Sequence, residues 1–130
     1  MANPNLFAAT TASGTTTYLT PGGTTALILV PNAASSGQVF KINQIVVANV
    51  TGSAANATVA IYSNGAVAQG SAPAGGTAYP IVSAVSVPAN ASLIAVDKTT
   101  AVYLMEGNSI SITSGTGSAL TYTISYEVIS

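Results

Sequence analysis

The sequence contains no histidine, cysteine, tryptophan or arginine, and only five charged side chains in 130 residues: Lys41, Asp97, Lys98, Glu106 and Glu127. Each absence closes off a chemistry. Without His or Cys there is no imidazole base, no thiolate nucleophile, no disulfide and no zinc-type ligand set. The three carboxylates are scattered, so no pair stands ready for general acid–base work. Serines are plentiful, yet the base that normally activates one is missing. Two isolated lysines cannot neutralise a run of phosphates, and the glycine-rich stretches carry neither GxxxxGK[ST] nor GxGxxG. The sequence therefore predicts a protein that is not an enzyme, needs no cofactor or metal and takes no nucleic acid as a partner.

Long apolar runs are also absent. The longest, Ala26-Leu27-Ile28-Leu29-Val30, is far too short to cross a bilayer as a helix, so no membrane partner is expected. The start, Met1-Ala2-Asn3-Pro4-Asn5-Leu6-Phe7, lacks the basic n-region and long apolar core of a secretory leader. Synthesis in a cytoplasm is the expectation, and the sequons at Asn49, Asn56 and Asn90 are read as unmodified.

What is present is apolar residues at 48% together with abundant Ser, Thr, Asn, Gly and Ala. That content is enough for a core and argues against disorder. A chain that stays soluble alone usually carries far more surface charge. The surface here is neutral, which favours packing against neighbours in an assembly.

Helical periodicity is missing throughout. Strands are predicted at 15–20, 26–30, 39–50, 58–63, 79–87, 92–96, 101–105, 109–114 and 119–129, all short and separated by Gly/Pro/Asn/Ser clusters. The last is the clearest: Leu120, Tyr122, Ile124, Tyr126 and Val128 alternate with Thr121, Thr123, Ser125 and Glu127. Gly115-Thr116-Gly117 predicts a hairpin between the final two strands, and Asn64-Gly65 a tight turn with positive φ at both residues. Residues 39–50 are apolar on both faces around Ile45-Val46-Val47, as in a strand that is central in its sheet or that crosses from core to subunit interface. The fold expected is all-β, an antiparallel β-sandwich of jelly-roll type over residues 15–130, preceded by an extended N-terminal arm over residues 1–14.

Asp97 and Lys98 are expected to pair with each other. Candidate interface residues are Asn5, Leu6 and Phe7 in the arm, Tyr79 beside the flexible 70–76 loop, and Tyr103 with Met105 at a strand end. Exposed tyrosines of this kind anchor interfaces.

Leu93-Ile94-Ala95-Val96-Asp97-Lys98, Val102-Tyr103-Leu104-Met105-Glu106-Gly107-Asn108-Ser109-Ile110 and the closing Leu120–Glu127 segment resemble small virion structural proteins of tailed phages. Those of phages infecting marine cyanobacteria come closest, with a YLxEGDxIxV pattern and a last strand ending near SYE. Asn108 stands where an acidic residue is frequent. The resemblance covers mainly the final third and carries over no catalytic or binding residue. It implies a virion component on the outer surface of the capsid: a decoration (cement) protein, self-associated (as a trimer, for example) and bound to the major capsid protein. The alternatives are a neck-, tail- or fibre-associated virion protein and, from another class, a host-surface glycan-binding module.

Overall fold

The computed structural model describes residues 5–130. It contains nine strands and one 3-10 turn: β1 (Ala12–Leu19), β2 (Leu27–Asn32), β3 (Val39–Asn49), β4 (Ala55–Tyr62), β5 (Ala78–Val87), β6 (Ser92–Val96), the turn Lys98–Thr100, β7 (Val102–Leu104), β8 (Asn108–Ser114) and β9 (Leu120–Ile129). One antiparallel sheet has the order β1-β9-β3-β6, with β7 also paired to β3; the other has the order β2-β8-β4-β5. Strands that follow each other in sequence mostly alternate between the sheets, which is the wrapping of a jelly roll.

The core lies between the sheets. Leu120, Tyr122 and Ile124 of β9 and Ile42, Ile45 and Val47 of β3 face Leu29, Val59, Ile110 and Ile112 of the other sheet, all fully buried. Alternation alone would not place both Ile42 and Ile45 inward. A bulge between Ile42 and Gln44 shifts the phase of β3, so Lys41 and Gln44 both face away from the core. β3 is central in its sheet, flanked by β9 on one side and by β6 and β7 on the other.

Three local expectations are corrected. β8 and β9 form no hairpin, because β8 pairs with β2 and β4 while β9 pairs with β1 and β3. The Gly115–Gly117 linker instead crosses between sheets, held by Gly115 N–H on Asn56 O (2.8 Å) and Ser118 N–H on Pro21 O (2.8 Å). Asn64 and Gly65 are not among the positive-φ residues. Asn64 Oδ1 accepts from Ala66 N–H (3.1 Å), and Gly65 is needed because a Cβ there would collide with the Asn32 carbonyl. Asp97 caps the 3-10 turn, its Oδ1 accepting from Thr99 N–H (2.9 Å) and Thr99 Oγ1 (2.6 Å) in place of the ion pair expected with Lys98. These bonds favour the ionised form and lower the Asp97 pKa, with the Thr99 hydroxyl as the largest cause.

Residues 1–4 of the expected arm lie outside the described residues. Residues 12–14, placed in the arm by the sequence, pair with β9 in β1. The pairing extends to Thr11, whose N–H and C=O both bond to Ser130 at 3.0 Å.

Candidate interaction surface

Among the described residues no group of three His, Cys, Asp or Glu side chains could hold a metal ion. The charged groups are dispersed over the molecule. Glu106 accepts from Gly37 N–H (2.8 Å) at one end of the sandwich, and Asp97 is occupied in its turn. Lys41 and Glu127 stand directly opposite each other on β3 and β9.

They lie on the solvent face of the first sheet. One row across this face runs Gly14–Glu127–Lys41–Tyr103, and another runs Tyr18–Thr123–Val46–Ile94. Between them Thr16 Oγ1 and Ser125 Oγ share a hydrogen bond (3.0 Å), and towards the far end Thr20 and Thr121 do the same (2.8 Å). Tyr18 is 71% exposed and Ile94 58%. The face is therefore a hydroxyl-lined plane with apolar side chains near its edges and one opposite-charge pair. Paired hydroxyls have their hydrogen-bonding partly satisfied in place, so covering them with another neutral surface costs little desolvation.

At the end of this face, Leu6, Lys41, Tyr103, Glu127 and Ile129 line an open groove of about 400 Å³. The Asn5–Ala8 turn beside it is closed by Ala8 N–H on Asn5 O (3.0 Å) and Phe7 N–H on Asn5 Oδ1 (3.0 Å). It leaves the Phe7 ring wholly in solvent. The sequence candidates thus separate. Leu6 and Tyr103 share the groove, and Asn5 and Phe7 adjoin it through the turn. Met105 is half-exposed just past β7, whereas Tyr79 lies on edge strand β5 of the other sheet, opposite Ile61. A second hollow of about 320 Å³ on that sheet is lined by Ala60, Tyr62, Pro73, Pro80 and Ser111. The Tyr62 hydroxyl anchors the loop over it through Gly76 (3.0 and 2.9 Å).

Tyr18 and Ile94 were missed by the sequence reading. Their strands alternate visibly, but which phase faces solvent depends on the sheet each strand joins. Burial raises the pKa of Tyr122, whose hydroxyl donates to Thr113 O (2.8 Å), and of Tyr126. Both serve the core and neither reaches this face as a titrating group.

Compared with protein-family models, with curated proteins and with solved structures, the chain finds no match, so a functional reading rests on its own residues.

Proposed function

We propose that the protein is a non-catalytic structural subunit of a tailed-phage particle, bound in many copies to the outer surface of the head as a decoration protein. The observation that carries this reading is the nearly uncharged, hydroxyl-lined solvent face of the first sheet, with Tyr18, Ile94 and Tyr103 exposed on it. A surface of that kind gains little from water and opposes few neighbours electrostatically. The jelly roll is compatible with the reading, although that architecture also serves lectins and enzymes and decides nothing by itself. The particle context comes from the likeness of residues 93–98, 102–110 and 120–127 to small phage virion proteins, to which the comparisons with known proteins add no support.

The mechanism is mechanical. Copies lie over junctions between major capsid subunits and bury neutral surface on both sides, and repeated weak contacts add as avidity. A contact stable alone needs on the order of 1,000 Å² of buried surface. With so few charges, attachment depends only weakly on ionic strength.

Quantitative mass spectrometry of purified particles, scaled to the major capsid protein, tests the proposal. Hundreds of copies support decoration. A few dozen or fewer move the protein to the neck, tail or fibres. Absence from particles overturns the virion reading and leaves a surface-binding module, to be sought on glycan arrays.

A further inference from the structure

A sandwich of two open sheets has four edges, and three of them here are blocked. At β2, Ile28 N–H and C=O are taken by Ser71 O (2.9 Å) and Gly70 N–H (2.8 Å) of the overlying loop. β5 contains Pro80 and a left-handed Ala84 (φ 49°), and its register with β4 shifts twice. β6 and β7 have five and three residues and are separated by the turn carrying Asp97 and Lys98. Prolines, bulges, charges, short strands and covering loops are the devices that keep strand edges from pairing.

β1 has none of them. It runs eight residues, Ala-Ser-Gly-Thr-Thr-Thr-Tyr-Leu, in unbroken register with β9, without proline or charge. Thr11 and Ser130 exchange both backbone bonds, so by antiparallel alternation the odd residues of β1 bond to β9. The N–H and C=O groups of Ala12, Gly14, Thr16 and Tyr18 point the other way. Residues 12–16 are exposed on both faces. Farther along, Gln69 Nε2 donates to the Thr17 hydroxyl (3.0 Å), but among the described residues no loop takes the outward backbone groups of Ala12, Gly14, Thr16 or Tyr18.

We infer that β1 pairs antiparallel with β1 of a second copy about a two-fold axis at Thr15, joining the two first sheets into one. Parity restricts the register, because even residues must face even residues. Centring on Thr15 engages Ala12, Gly14, Thr16 and Tyr18 all at once, with about eight backbone hydrogen bonds by the antiparallel pattern. Centring on Thr16 would leave Ala12 without a partner. The chosen register also sets large against small: Tyr18 opposite Ala12 and Thr16 opposite Gly14. On the other face it sets Thr15 against Thr15 and Ser13 against Thr17, which are favourable hydroxyl pairs. No charge lies in the segment, so the two copies do not repel. The pairing needs only a second copy and stands or falls separately from the virion reading; it gives two-fold association where the sequence suggested a trimer.

Sedimentation of the full chain over a range of concentrations is the first readout, and a concentration-dependent dimer is expected. Thr16→Lys sets two lysines at diagonal positions whose backbones lie about 7–8 Å apart across the axis and shifts the protein to monomer. Losing the exposed Thr16–Ser125 hydroxyl bond costs the monomer no more than about 0.5–1.5 kcal/mol, so it stays folded. Because the chain has no cysteine, single thiols report the register. Thr15→Cys places two thiols on the axis at about 4.5 Å between Cα atoms, within disulfide reach, and mild oxidation gives a covalent dimer. Ser13→Cys puts its thiols about 13 Å apart along the strand and stays monomeric on a non-reducing gel. A protein that is monomeric at every concentration, a Thr16→Lys variant that still dimerises, or equal cross-linking (or none) at both cysteine positions overturns the inference.

Discussion

The Asn32 side chain donates to the Leu104 carbonyl across 3.1 Å, tying β2 of one sheet to β7 of the other. The same amide donates to Gln38 O (3.0 Å), and its oxygen accepts from Ser36 Oγ (2.6 Å). All three bonds sit at a position that is 1% exposed.

Asn32→Ala should therefore cost more than an ordinary polar truncation, because two carbonyls lose a donor. About 2–6 kcal/mol is expected, from roughly 1–3 kcal/mol per buried unsatisfied group. Urea denaturation checks it. A loss under about 0.5 kcal/mol, the level of a neutral surface change, would mean that water replaces the amide at no cost.

Gly65→Ala is destabilising for a steric reason. The added methyl would meet the Asn32 carbonyl and stand 2.8 Å from the Asn108 carbonyl, and neither backbone atom can swing away. Overpacking of this kind costs about 1–3 kcal/mol. Gly14→Ala meets open space and should leave the midpoint nearly unchanged, so the pair serves as its own control.

Acid should weaken the 3-10 turn through Asp97. Its pKa is lowered in the folded state by bonds from Thr99 and Thr100. The stabilisation is thus complete above the ordinary Asp range and is lost as pH falls through the lower folded value. Asp97→Asn should flatten that part of the stability–pH curve below about pH 4, the ordinary carboxylate range. An unchanged curve would show that the capped turn does not contribute to unfolding.

Phe7→Ala should separate folding from attachment. The ring is wholly exposed, so thermal stability stays within about 0.5 kcal/mol of the parent. Leu104→Ala, at a buried position, should cost about 2–5 kcal/mol. If the face beside the groove contacts the capsid, Phe7→Ala lowers copy number in particles while the isolated domain melts normally. Unchanged incorporation would remove Phe7 from the contact.

The strands were legible because a half-buried strand writes its period into the sequence, as Leu120-Thr121-Tyr122-Thr123-Ile124 does. Connections were not. Gly115-Thr116-Gly117 offers the backbone freedom of a hairpin, but a sheet-crossing corner asks for the same residues. What distinguishes them here is the approach of Gly22 to within 2.6 Å of any Cβ at Gly117, a contact between segments far apart in the chain. Asn32 lies just past the predicted 26–30 strand, and nothing local reveals that its amide will be enclosed by residues 38 and 104. The candidate surface was legible in composition and only partly in its residues. Tyr103 and Leu6 could be named, but their meeting with Lys41 and Glu127 depends on the order of strands in the first sheet.

That strand order also sets a schedule. Ala12 pairs with Ile129 and Leu19 with Tyr122, so the first strand finds its place only after the last has been synthesised. Closing such distant contacts is slow compared with local ones. During that interval β1, with no charge or proline to discourage other strands, is open along both of its edges. The cell's exposure to misassembly should therefore be greatest while the chain is still being made, and slower translation of the final strand should raise the insoluble fraction before any change in the mature protein's stability is detectable.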